Sequence, residues 1–146
     1  SELKKTNAVF ASYFFKWDSE ENYKIAKKYG FNSLKKASEG TYRNFVGIDE
    51  KINRIHQYLK YLKFGYGRAT DHACEDIRNG KISRKKGQNL VMKFDRVPIS
   101  KYYYEEFINL IGISEKKFFS TLRKYTNKKL FDFKGKKFLF KFKNFD

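Results

Sequence analysis

EKINRIHQYLKYLKFGYGRATDHACEDIRN, residues 50–79, decides how this chain is read. Ile52, Ile55, Leu59 and Leu62 recur at spacings of three and four, which predicts an amphipathic helix of roughly four turns. Asp49 stands before it as an N-cap, and Gly65 closes it. His56, Lys60 and Lys63 follow one another at four and three, so they share a neighbouring stripe of the same helix. A shorter helix follows over "DHACEDIRN", with Thr70 as its cap and Gly80 as its stop.

Working outward, the same grammar repeats. Asp18, with Glu21 three residues later, has the spacing of a capping box and opens a helix that ends at Gly30. Tyr23, Ile25, Ala26 and Tyr29 form its apolar face. Ser83 caps "RKKGQNLVMKF", with Leu90, Val91 and Phe94 inward. Ser100 caps "KYYYEEFINLI", and Ser114 caps "EKKFFSTLRKY", whose inner face is Phe118, Leu122 and Tyr125. Before the first helix, "VFASYFF" is β-branched and aromatic and reads as a strand. "FNSLKKASEGTYRNFVG" is irregular, punctuated by Gly40 and Gly47.

At the C-terminal end the period changes to two. Phe131 and Phe133 alternate with polar residues, as do Phe138, Phe140 and Phe142, around a "KGK" turn. The expected fold is therefore mainly α, about five short helices followed by a β-hairpin or arm over 127–146, in a single domain 1–146. A parallel nucleotide-binding sheet is not expected.

Composition bounds the function. With 33 Lys and Arg against 16 Asp and Glu, the net charge is +17. Nucleic acid is the obvious partner, yet 26 of the 33 basic residues are Lys and they are scattered along the chain. Abundant Lys, Asn, Ile, Phe and Tyr with scarce Ala and Pro also read as a compositional bias. Any nucleic-acid binding is expected to be non-specific and salt-dependent. No apolar run reaches the roughly 18 residues of a membrane span, and "SELKKTNAVF" lacks a signal-peptide core. The single Cys74 excludes an internal disulfide and fits a reducing cytoplasm.

Residues 60–84 hold the candidate site. Gly65 and Gly67 permit positive φ and close backbone approach. The loop leads into a capped helix start, where free N–H groups favour an anion. Lys63 and Arg68 flank it, and Arg68 offers two donors to a phosphate or carboxylate. The candidate anion-binding set is His56, Lys63, Gly65, Gly67, Arg68, Thr70 and Asp71. The same segment also reads as a tight helix–loop–helix turn with solvated charges. His72 and Cys74 have no further ligand nearby, so they read as helix surface and no metal site is assigned. Trp17, beside Asp18, reads as a core residue before the first helix or as a stacking residue.

"KWDSEENYKIAKKYGF" (16–31), "EGTYRNFVGIDEKINRIHQYLKYLKFGYGRATDHACEDIRNGKISR" (39–84) and "EEFINLIGISEKKF" (105–118) resemble one known family. They look like the C-terminal third of the N-acetyl sugar amidotransferases, in the PP-loop ATP pyrophosphatase superfamily. The resemblance runs from Tyr13 to Phe119; the hairpin after Tyr125 matches no motif of that family. The family's Ser-Gly-Gly-x-Asp-Ser nucleotide loop and Cys-x-x-Cys motif do not occur here. The chain therefore reads as a separated helical domain that would cap an α/β nucleotide-binding domain outside it.

The resemblance implies conversion of a sugar acetamido group to acetamidino in nonulosonic acid (pseudaminic acid, flagellin glycosylation) or lipopolysaccharide biosynthesis. ATP with Mg would serve the whole enzyme, with no cofactor in this chain. The implied partners are the N-terminal nucleotide-binding domain, a glutaminase subunit supplying ammonia, and an anionic sugar. The isolated chain is expected to be inactive. Arg68 and Lys63 would grip the sugar's carboxylate or phosphate, with Trp17, Asp18 and Arg84 as supporting residues. Two rival readings are a basic nucleic-acid-binding module and a structural domain that docks the glutaminase.

Overall fold

The computed structural model describes residues 7–142. They fall into two compact units, one within Ser1–Asn32 and one within Ser33–Asp146.

The first unit holds a 3-10 turn at Ala11–Tyr13 and helix α1, Ser19–Lys28. Asp18 caps α1 as its spacing predicts, accepting from the backbone N–H of Glu20 and Glu21 at 3.0 and 3.2 Å. The strand expected over "VFASYFF" does not form. An isolated strand would leave its N–H and C=O groups unpaired; here they close locally, Tyr13 N–H to Phe10 and Phe14 N–H to Ala11. The apolar face expected of α1 is not a core, because Ile25 and Tyr29 are exposed. Trp17, expected in the core, is exposed as well.

The second unit contains α2 (Ile52–Phe64), α3 (Arg68–Arg78), α4 (Arg84–Phe94), α5 (Lys101–Leu110), α6 (Glu115–Tyr125) and the strands β1 (Phe131–Lys134) and β2 (Lys137–Phe140). The class is mainly α, with six helices among the described residues. Ser83 and Ser114 cap α4 and α6 as read, accepting from Lys86 and Lys117 N–H. Asp49 does not cap α2. The helix starts at Ile52, with Lys51 in the cap position and no side-chain cap bond. Ser100 holds the cap position of α5 without a side-chain bond.

The core forms around α2. Ile55, Tyr58, Tyr61 and Leu62 pack with Ile99, with Tyr104 and Ile108 of α5, with Phe118, Phe119 and Leu122 of α6, and with Phe131. The predicted stripe was rotated: Ile52 and Leu59 are exposed, and two tyrosines take their place. Tyrosine carries as much apolar area as a large aliphatic side chain, so counting aliphatics alone aims the helix wrongly.

The hairpin pairs Phe131 with Phe140 and Phe133 with Phe138, antiparallel. Gly135, at φ +58°, supplies the positive φ that a two-residue loop asks of its first central residue. Two strands alone are marginal in water. Here Phe131 lies edge-on to Tyr61 at 5.0 Å and Phe138 to Tyr58 at 6.3 Å, which seats the hairpin on α2.

Candidate functional site

The turn from α2 to α3 is built by three residues. Gly65 ends α2 in the left-handed region, φ +84°. Gly67 does not: its φ is −115°, extended backbone open to any residue. Its lack of a side chain matters for a different reason. A Cβ there would meet Asp95 Oδ1 at 2.6 Å and Cγ at 3.0 Å. Asp95, at the end of α4, inserts its carboxylate into the N-terminus of α3. It accepts from the N–H of Gly67 (2.9 Å), Ala69 (2.9 Å) and Thr70 (3.2 Å), and from the Thr70 hydroxyl (2.6 Å). The helix therefore begins at Arg68, three residues before the Asp71 start that a Thr70 cap would give. The anion that favours this helix start is one of the chain's own side chains.

Arg68 leaves that turn toward a narrow recess. Asn53, Arg54 and Gln57 of α2 line it, with the 38–47 loop on the other side. Three arginines gather on this side of the unit, and two are neutralised. Arg43 bonds Glu75 at 2.9 Å and Asp76 at 2.6 Å, and Tyr42 donates to Asp76 at 2.6 Å. Burial works to lower the Arg43 pKa, but the two carboxylates prevail and hold it above its ordinary value. Burial and the bond to Asp76 push the Tyr42 phenol well up. Arg54 reaches Glu39 at 3.3 Å and the carbonyl of Val97 at 2.8 Å. Arg68 is different. It is half-buried, its contact is with the neutral Asn53 Oδ1 at 3.5 Å, and it has no carboxylate partner among the described residues. Beside it, Gln57 Oε1 is buried and lacks a hydrogen-bond partner among the described residues.

His72 lies one turn beyond Arg68 on α3 and is buried, 6 % exposed, against the edge of Tyr42. The reading of His72 as helix surface is corrected: the 38–47 loop covers that face of α3. Its Nε2 has no partner among the described residues. Burial first, then the charges of Arg43 and Arg68, lower its pKa to about 4. The unfolded chain takes up a proton near pH 6.5 and the folded one does not until about pH 4. His72 therefore costs no stability above pH 6.5, and the fold loses roughly 3 kcal/mol as pH falls through that window. Urea melts of wild type and His72→Gln from pH 7 to 4 measure it; the variant should show the shallower decline, and parallel curves would refute the assignment.

The remaining candidates lie elsewhere. His56, Lys60 and Lys63 line a second groove with Leu59, Phe64 and Tyr66, which shares no lining residue with the recess. Lys63 and Arg68, expected to flank one anion, thus line different concavities. Lys60 bonds Asp71 at 2.6 Å. Asp18 is a helix cap in the first unit, and Arg84 is an exposed first residue of α4. No group of three or more metal-ligating side chains occurs among the described residues. Sequence reasoning missed Asp95, Arg43, Asn53, Arg54 and Gln57. Arg54 and Gln57 did leave a signal: they are polar residues three apart, in the middle of the buried face of α2.

Residues 39–144 match the family described as LPS biosynthesis protein WbpG-like, C-terminal domain. The chain belongs to this family. The match covers the recess apart from Ser38, all five helices of the second unit and the hairpin, which the motif resemblance did not reach. It agrees with the sequence reading of a C-terminal domain of an amidotransferase-like protein of lipopolysaccharide and sugar biosynthesis. No curated protein matches the chain. No helix of the described residues is long and apolar enough to cross a membrane.

Proposed function

We propose that this chain is the C-terminal domain of an ATP-dependent N-acetyl sugar amidotransferase, and that the Arg68 recess holds the anionic group of its sugar substrate. Family membership supports the setting. The observation that carries the site is the charge balance: of Arg43, Arg54 and Arg68, the third alone lacks a carboxylate partner among the described residues. A half-buried guanidinium in a recess is stabilised by a ligand anion, which its planar fork grips through two donors.

In this reading ATP with Mg activates the acetamido oxygen in a separate nucleotide-binding domain, and ammonia from a glutaminase subunit replaces it. The reaction belongs in the cytoplasm, where ATP is available. The residues here orient and enclose. Arg68 fixes the sugar by its charged group, and the walls of the recess exclude water, strengthening that contact. Asp95 plays a positioning role, since it sets where α3 begins and therefore where Arg68 points.

In the whole enzyme, Arg68→Ala should cost about 2 to 4 kcal/mol of kcat/KM, roughly 30- to 1000-fold, carried mainly by KM. Its melting temperature should stay near wild type, because no ion pair within the described residues is lost. Arg68→Lys should recover part of the loss. Unchanged kinetics for Arg68→Ala would remove the recess from the substrate site.

A further inference from the structure

The recess opens into a wider trough. Its own free volume is only about 20 Å³, so it admits no more than the anionic end of a ligand. Ser38, Gly47, Glu50 and Tyr103 line both it and a trough of about 470 Å³ that runs between the 47–51 turn and α5. That volume is within the range of ligand sites, roughly 300 to 1000 Å³. The recess takes only a terminal group; the body of a ligand would occupy the trough.

The chemistry of the trough differs from that of the chain as a whole. In a protein of net charge +17, it is lined by Asp49, Glu50 and Glu106 against one cation, Lys51. Lys51 pairs with Glu106 and stands over the Tyr102 ring, 4.2 Å from its centroid. Asp49 and Glu50 have no ion pair among the described residues, so their oxygens remain available to hydroxyl donors. Tyr102 is 64 % exposed, with Tyr103 edge-on beside it at 5.0 Å.

Exposed carboxylate acceptors beside an exposed aromatic ring suit a polyhydroxylated ring. Its hydroxyls donate to the carboxylates, and its C–H face lies on the tyrosine. In the trough a phosphate or a nucleic-acid strand is disfavoured by Asp49 and Glu50, and a basic peptide by Arg68, Lys51 and the net charge; Glu50 also lines the recess, where it opposes the attraction of Arg68 for an anion.

We propose that the trough is a subsite for a second, neutral sugar unit, joined to the anionic unit whose charged group enters the Arg68 recess. The ligand would then be a glycan of at least two units. This inference rests on the recess reading of Arg68 for its orientation, and on the trough's own residues for its chemistry.

The test titrates the 146-residue chain, followed by NMR, with three probes: glucuronic acid, N-acetylglucosamine, and the disaccharide joining them. The disaccharide should bind about tenfold or more tighter than glucuronic acid, the worth of one good ring contact. Tyr102→Ala should abolish that advantage and leave glucuronic acid binding unchanged; Glu50→Gln should reduce it. Equal affinity for disaccharide and glucuronic acid, or a disaccharide advantage that survives Tyr102→Ala, overturns the subsite. Failure of the recess reading looks different. Arg68→Ala would then leave all three affinities unchanged, while N-acetylglucosamine still shifted the Tyr102 signals and the subsite stood.

Discussion

Asp95→Ala should cost the domain about 4 kcal/mol, close to the whole stability of a marginal fold. The carboxylate is 3 % exposed and accepts four hydrogen bonds at the start of α3. An ordinary N-cap deletion costs about 1 kcal/mol. Here the donors lose a charged acceptor in a site closed to water, and an unsatisfied buried group bears its desolvation in full. Asp95→Asn keeps one carbonyl oxygen but turns an amide N–H₂ toward backbone donors, so it should recover less than half. Urea denaturation followed by circular dichroism gives both values. A loss below about 1 kcal/mol for Asp95→Ala would show that water replaces the carboxylate.

Arg43→Ala should be comparably severe, about 3 to 5 kcal/mol. The residue is 6 % exposed, and its removal takes the cation from the buried Asp76 carboxylate and one contact from Glu75. The damage would come mostly from the charge left on Asp76. The triple variant Arg43→Met, Glu75→Gln, Asp76→Leu should therefore melt well above Arg43→Ala, although it removes more polar groups. Arg43→Lys should fall between them, because one ammonium cannot span two carboxylates as the guanidinium fork does. Equal melting temperatures for the single and triple variants would contradict this account.

Helix punctuation was legible from residue order. Asp18, Ser83 and Ser114 cap where their spacing says, and Gly65 stops α2 in the left-handed region. These are contacts within three or four residues, so the information needed to predict them is local. The hairpin, with Gly135 between alternating phenylalanines, was legible for the same reason. That "VFASYFF" finds no partner strand among the described residues was not, because pairing is a property of the rest of the chain.

The candidate site divides along the same line. Sequence singled out Gly65, Gly67 and Arg68 as a turn into a helix that attracts an anion, and the turn is there. What fills it depends on Asp95, 28 residues away from Gly67 in the chain, which no spacing rule connects to α3. The Arg43 and Asp76 pair, 33 residues apart, is equally invisible. Residue types alone determined that α3 would begin with an electropositive end beside an arginine. Only the packing of α4 and the 38–47 loop against α3 decided which arginines would find carboxylates, and left Arg68 without one among the described residues. Charge compensation acts through space at a few ångströms, and the chain order does not encode which charges the fold brings that close.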